Sequence, residues 1–439
     1  MSAPKPLLAF YADDFTGATD VLDVLSRAGI STLLLFDPEH LDVDPASDSY
    51  DVVGVAGTSR AMDPQQMDRE LPPVLRALLT LEPALLHYKV CSTFDSAPDM
   101  GSIGKAAELI SGLCGSLPIP VVVGVPALGR YTAFGHLFAR APGEAHPIRI
   151  DRHPVMSRHP VTPMTEADLT KHLAAQTDMP VSLIDSTIVH SGLADREGTG
   201  SSGARLVVVD IDAERAVGEV GNWLWRSAQT GAMPAVIGSS GVEYALVKAW
   251  QRDGYGTSDR WPDAPAANPV LVVSGSCSPT TAAQLNTAVG AGFREIRWDV
   301  TGAGPDRFDD QATVQHVIKA LTNGESVVVR TDLPAHEGLD RQSQARIVAA
   351  LGAMTRQVVA SAAVRRIAVC GGDTSGAIAQ ALGLTSARML VPTALGAPTC
   401  VVTSRHASCD GLEIAFKGGQ MGQQDYLLRV ASGASMAGT

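Results

Sequence analysis

Short runs of Val, Leu and Ile recur along this chain, and within each run the apolar residues are consecutive rather than alternating with polar ones. No other feature constrains the fold as strongly. A strand that is apolar on both sides must be covered on both faces, as happens in parallel sheets. In the first half the runs fall at 6–11, 32–36, 51–56, 85–90, 120–125 and 206–209, with helical patterns at 18–28, 67–81 and 104–113 between them. In the second half the strand-like runs are 270–273, 295–298, 326–329, 366–369, 399–402 and 412–416. Helical patterns there cover 280–289, 311–321, 340–363 and 375–382. The expected class is α/β, with two domains, each a mainly parallel sheet flanked by helices.

A chain of 439 residues is too long for one ordinary core, which supports the division. Gly, Pro and Asp dominate 251–269 and periodicity disappears there, so that stretch is expected to link domains at 1–250 and 270–439. The Ala/Gly/Ser-rich tail from Ala431 is expected to fray. No short internal repeat is evident.

Charge and cysteine spacing exclude several classes. A formal net charge of −12 argues against a nucleic-acid partner, which needs a basic face. It leaves room for small anions held in a local cationic pocket. The six cysteines show no CxxC or CxxH spacing, so a zinc site is not expected. The sequence offers neither a membrane-length apolar stretch nor a signal-peptide core after its Met-Ser-Ala-Pro-Lys-Pro start, and the cytoplasm is the expected compartment.

The chemistry of the first half gathers at strand ends. Asp13 and Asp14 follow the first apolar run and precede Thr16-Gly17, where carboxylates can accept a proton from a hydroxyl or organise a metal. Capping of the next helix is the plainer use of one Asp, although two neighbours plus Asp20 exceed that need. After the run at 85–90 come Lys89, Cys91, Ser92, Thr93 and Asp95, a cation, hydroxyls and an acid suited to a hydroxylated carboxylate ligand. Arg60 also follows a strand and can grip a carboxylate through two N–H groups, while a solvated surface Arg is the default. His136 and His159 sit among apolar neighbours, where packed histidines are commoner than catalytic ones.

In the second half three strand-to-turn segments are rich in small residues: Ser274-Gly275-Ser276, Gly371-Gly372-Asp373-Thr374-Ser375-Gly376, and Lys417-Gly418-Gly419. Each alone is a weak signal, but all three follow strands, the edge where ligands bind in such sheets. Backbone N–H groups there can hold phosphate oxygens. None fits a dinucleotide fingerprint or a P-loop, and the partial P-loop likeness at 101–105 lacks its upstream Gly and following Ser/Thr.

With these residues laid out, the chain resembles the four-carbon acid sugar kinase family, which includes 3-oxo-tetronate, threonate and erythronate kinases. ADDFTGATD at 12–20, KVCSTFDS at 89–96, GSIG at 101–104, GHLF at 135–138, HPVTPM at 159–164, SGSCSPTT at 274–281 and GGDTSG at 371–376 carry the likeness in family order. It implies an amino-terminal sugar-acid domain, a carboxy-terminal ATP domain and an active site in the cleft between them. By that resemblance Asp14 is the candidate base or orienting acceptor, with Asp13 and Asp95 as alternatives. Thr16, Arg60, Lys89, Ser92, Thr93 and His136 are the candidate acceptor contacts. Ser274, Gly275, Ser276, Gly371, Gly372, Asp373, Thr374, Gly376, Lys417, Gly418 and Gly419 are the candidate ATP contacts, with Asp373 ordering the water shell of Mg²⁺. The partners implied are a small anionic sugar acid and ATP, with no nucleic acid and no membrane; a homo-oligomer stays open. Asp373 stands where many members carry Glu, and Thr58-Ser59-Arg60 differs from the usual approach, leaving the branched acid 3-oxo-isoapionate open as substrate. A nicotinamide-dependent dehydrogenase and a non-catalytic sensor are the competing readings.

Overall fold

The computed structural model describes residues 5–38, 50–141, 143–159, 161–193, 203–256, 261–298, 311–331 and 341–436. Two compact units emerge: Met1–Thr32 with Pro38–Ser258, and Leu33–Asp37 with Asp259–Thr439. No helix among the described residues is long and apolar enough to cross a membrane.

The first unit is built on a parallel sheet. Its strands lie in the order Val52–Ala56, Leu8–Ala12, Leu86–Lys89, Ala235–Gly238, Pro118–Val122, Arg205–Val209 and Val181–Ile184. Every residue of Leu8–Ala12 is buried, as its uninterrupted apolar run requires. The chain places Val52–Ala56 on one side of Leu8–Ala12 and Leu86–Lys89 on the other. Such a reversal of winding opens a crevice at the strands' carboxyl ends. A small antiparallel sheet of Arg130–Ala133, His136–Arg140 and Pro147–Arg149 completes the unit. Its first turn, Phe134-Gly135, has φ of 52° and 74°, the positive pair of a tight hairpin.

The second unit repeats the parallel theme with Arg294–Trp298, Val327–Thr331, Val270–Ser274, Arg366–Cys370 and Glu413–Lys417 in that order. Winding reverses here between Val270–Ser274 and Arg366–Cys370. Beyond Glu413–Lys417 the sheet turns antiparallel through Thr399–Ser404 and Leu384–Val391. Its last strand comes from far upstream: Thr32–Leu35 pairs antiparallel with Leu384–Val391, matching Leu35 to Ser386 and Leu34 to Ala387. Phe36 then meets Phe416 edge-on, with ring centroids 6.0 Å apart.

Several elements differ from the sequence expectations. The run expected at 120–125 forms Pro118–Val122, because Val125 leaves the sheet to bridge Arg130. Strands Val181–Ile184, Ala235–Gly238 and Leu384–Val391 and helices Glu214–Gln229 and Gly241–Arg252 lie where none was expected. The helix expected at 340–363 spans Arg341–Ser361; residue 340 is outside the described set.

The tail does not fray from Ala431. Gly433 closes helix Tyr426–Ser432 in the left-handed conformation, and Met436 N donates to Pro392 O at 2.7 Å. Within the stretch expected to link domains, Ala264 N donates to Gly433 O and Ala267 N to Ala431 O. The buried Arg366 side chain reaches Pro265 O and Val430 O while pairing with Glu413.

Candidate active site

In the first unit the strand-end residues singled out by sequence converge. Asp13 N donates to Lys89 O at 2.9 Å, Gly57 N to Ala12 O at 2.8 Å, and Arg60 N to Asp13 O at 3.0 Å. Three neighbouring strand ends are thus tied through their backbones. The Arg60 side chain closes the group: Nε donates to Asp13 Oδ2 at 3.1 Å, and Nη2 to Asp13 Oδ1 at 2.7 Å and Asp14 Oδ1 at 2.8 Å. Tyr88, stacked on Tyr11 with centroids 5.7 Å apart, shares a 2.8 Å hydrogen bond with Ser59 and braces the Arg60 turn.

Asp14 is also the N-cap of helix Phe15–Arg27, accepting from Gly17 N at 2.9 Å and Thr16 Oγ1 at 2.7 Å. The capping reading and the active-site reading therefore describe the same carboxylate. Gly17 is required by close approach, since a Cβ there would meet Asp14 Oδ1 at 2.4 Å and Lys89 Nζ at 3.0 Å.

The neighbouring aspartates titrate differently. Burial pushes Asp13 up to about 6, with the Arg60 charge opposing and the Asp14 charge adding to the rise. Burial works against ionised Asp14 too, but Arg60 and Lys89, then the Thr16 and Gly17 hydrogen bonds, outweigh it and hold its carboxyl below the usual range. Asp14 also stays more accessible, its side chain 20% exposed against 7% for Asp13.

Lys89 is buried, its ammonium 3.8 Å from Asp20 Oδ2. Thr93 Oγ1 donates to Asp95 Oδ1 at 2.5 Å. Burial disfavours ionised Asp95, yet the Arg60 charge, the Thr93 hydrogen bond and the His159 charge together lower its pKa. Ser92 is half-buried beside them. His136 lies in the hairpin of the small sheet, its Nδ1 donating to Phe134 O at 2.9 Å.

The glycine loops of the second unit also meet one another. Gly275 N donates to Cys370 O at 3.3 Å and Gly371 N to Lys417 O at 2.9 Å. A Cβ on Gly419 would lie 3.0 Å from Ser276 Oγ. Gly371 has φ 116° and is the N-cap of helix Gly372–Ala381, with Thr374 buried, Asp373 exposed and Gly376 half-buried in its early turns. Helix Pro279–Gly290 starts beside Ser274–Ser276 with Pro at its first position. Two helix amino termini therefore open at joined loops, an arrangement that favours anions.

Lys417 is fully buried, its Nζ donating to Thr281 Oγ1 at 2.8 Å, and Thr281 Oγ1 in turn donates to Gly419 O at 2.8 Å. Gln284 carries no local sequence signal, yet its Nε2 donates to the carbonyls of Met421, Gly422 and Gln423 and so fixes the segment after Gly418-Gly419. No cluster of His, Cys, Asp or Glu able to hold a metal occurs among the described residues. A surface cavity of about 610 Å³ between the helices Arg341–Ser361 and Gly372–Ala381 is lined mainly by alanines and by none of the loop residues.

Comparison with known proteins adds independent findings. Residues 8–246 match the sugar-binding N-terminal domain model, and residues 271–427 match the nucleotide-binding C-terminal domain model. The 3-oxo-isoapionate kinase of Paraburkholderia graminis is 39% identical, over 97% of this chain and 94% of that protein. A 3-oxo-tetronate kinase of Methylobacterium radiotolerans is 30% identical over 96% of this chain and 98% of its own length. Among solved structures, a Salmonella typhimurium LT2 protein described as a tRNA synthase superposes with TM-score 0.74 at 25% identity, covering 96% of this chain and 98% of that one.

Proposed function

Because the chain belongs to the family that joins a sugar-binding N-terminal domain to a nucleotide-binding C-terminal domain, we propose that it transfers the γ-phosphoryl group of ATP to a hydroxyl of a small sugar acid. The observation that carries this reading is the Asp14 carboxylate, kept ionised by Arg60 and Lys89 at a strand end in the sugar-binding unit.

In the reaction the acceptor hydroxyl oxygen attacks the γ-phosphorus, the bond to the bridging oxygen breaks, and ADP leaves. The hydroxyl proton is accepted at Asp14. A carboxylate of low pKa suffices, because phosphoryl transfer passes through a loose transition state that demands positioning and charge neutralisation more than a strong base. Arg60 keeps Asp13 and Asp14 in register. Lys89 supplies positive charge beside them, and Thr16, Ser92, Thr93 and Asp95 offer hydrogen bonds to the acceptor. The phosphates rest on N–H groups of the 274–276 and 371–374 loops. The exposed Asp373 in the first turn of Gly372–Ala381 would hold Mg²⁺ through its water shell, and the ion would supply neutralisation of phosphate charge.

The acceptor to assay first is 3-oxo-isoapionate, since the relative of that name shares 39% identity against 30% for the 3-oxo-tetronate kinase. ATP consumption is measured with 3-oxo-isoapionate, 3-oxo-tetronate, threonate and erythronate, and product NMR locates the ester. ATP-dependent turnover of a 3-oxo acid is the expected result. An ATP consumption rate that none of these acids raises removes the proposal.

A further inference from the structure

Arg60 and Lys89 are the cations that the sequence points to for holding the acceptor's carboxylate, yet the Nε/Nη2 edge of Arg60 is already closed on Asp13 and Lys89 lies 3.8 Å from Asp20 Oδ2. A second guanidinium in the same unit presents that edge with nothing on it. Arg130 opens the strand Arg130–Ala133, and its backbone bridges Val125 just past the carboxyl end of Pro118–Val122. Thr132 fastens the hairpin further: Thr132 N donates to Ile211 O at 2.9 Å, and Ile211 N to Thr132 Oγ1 at 2.7 Å. Arg130 is therefore held at the ligand edge of the sheet.

Among the described residues, only Nη1 of Arg130 finds partners, donating to Leu128 O at 2.8 Å and Arg140 O at 3.4 Å. Nε is buried without a partner, and no hydrogen bond or carboxylate engages Nη2 among the described residues. Burial lowers the Arg130 pKa; the charge of Cys91 opposes that, Arg140 adds to it, and Asp20 opposes it. Asp20 is the partner of Lys89, and Cys91 bonds Thr93, so Arg130 interacts electrostatically with two neighbours of the group already described. A mostly buried guanidinium without an anion is unfavourable on its own, and one carboxylate would fill both open donors.

We propose that Arg130 binds the carboxylate of the sugar-acid acceptor through its Nε and Nη2 donors. This rests on the kinase reading above and assigns Arg60 to holding the aspartates instead. Arg130 acts by binding charge, so its effect belongs to acceptor affinity and not to the phosphoryl step.

The test has two arms, each comparing wild type with Arg130→Met and Arg130→Lys. In the first, ligand-free proteins are melted: Arg130→Met loses the Nη1 bonds to Leu128 O and Arg140 O but also an uncompensated charge, so its melting temperature should stay within about 4 °C of wild type. In the second, freshly prepared 3-oxo-isoapionate and 3-oxo-tetronate are titrated calorimetrically without ATP and then assayed with it. Loss of a charge-assisted pair should raise the acceptor Kd and KM of Arg130→Met by about 10–100-fold, with kcat and the ATP KM within about threefold. Arg130→Lys, which keeps charge but loses the fork, should fall between.

An acceptor Kd within about twofold of wild type for Arg130→Met, or for Arg130→Lys where Arg130→Met does not fold, overturns the assignment. If wild type binds the acids but does not phosphorylate them, the kinase reading fails while the binding arm still decides Arg130. Absence of wild-type binding to both acids overturns both.

Discussion

Replacing Gly17 by Ala should separate stability from activity. The new Cβ would lie 2.4 Å from Asp14 Oδ1 and 3.0 Å from Lys89 Nζ. Lys89 is 2% exposed on a strand paired on both sides, so it has little freedom to retreat, and the Asp14 side chain must swing away. Its cap on Gly17 N is then lost, at about 1 kcal/mol. Alanine in place of glycine inside a helix returns about 1 kcal/mol, so net stability should hardly change. A shift of about 1 kcal/mol would move the melting temperature of a domain this size by only about 2–4 °C. Turnover should respond very differently, because a reacting group displaced by about 1 Å costs on the order of 100-fold. The assay pairs thermal melting with kcat for the acceptor identified by ATP consumption. Turnover within about threefold of wild type at unchanged melting temperature would show that Asp14's placement does not control the reaction.

Other expectations follow from the same geometry. Asp14→Asn should lower kcat by about 100–10,000-fold and leave ATP affinity nearly unchanged, checked by steady-state kinetics and nucleotide titration. Asp13, raised to about 6 from 3.8, binds its proton more readily folded than unfolded. Its contribution to stability is therefore greatest below about pH 4 and is lost as pH rises through about 6. Asp13→Asn removes that loss, so the stability difference between variant and wild type, read from urea midpoints, should move in the variant's favour from pH 4.5 to 7 by on the order of 1–3 kcal/mol; a constant difference contradicts the shift. Gly371→Ala places a side chain at φ 116°, near Thr374 Oγ1 and Ser276, and should cost about 1–3 kcal/mol and weaken ATP binding in calorimetry. Arg366→Ala leaves Glu413 without its buried partner and should cost about 3–5 kcal/mol in denaturant unfolding. Arg365→Ala removes the 63%-exposed partner of the same carboxylate and should cost less than about 1 kcal/mol.

Local physics made much of the chain legible in advance. Consecutive apolar residues declared strands buried on both faces, and the parallel α/β class followed from them. An Asp ahead of the helical pattern at 18–28 announced a cap, although the helix starts earlier, at Phe15, and the strand-end clusters at 13–14, 60 and 89–95 were visible because chemistry-bearing side chains interrupt apolar runs there. The strand Ala235–Gly238 was missed because four apolar residues next to a Pro and ahead of a helix give too little pattern to register.

Tertiary structure decided how those groups are used. Sequence showed that Arg60 and Arg130 exist, but only folding shows that one guanidinium is closed by Asp13 while the other keeps two open donors. Likewise Lys417 was expected among the ATP contacts, and packing buries its ammonium against Thr281. The second antiparallel partner of Leu384–Val391, beside the nearby Thr399–Ser404, could not be read locally either, since it is supplied by Thr32–Leu35. Apolar spacing and capping act over a few residues and leave their mark in the sequence. Pairing of charges, burial of an ammonium and the recruitment of a strand from far upstream depend on groups brought together across hundreds of residues, which only the folded chain specifies.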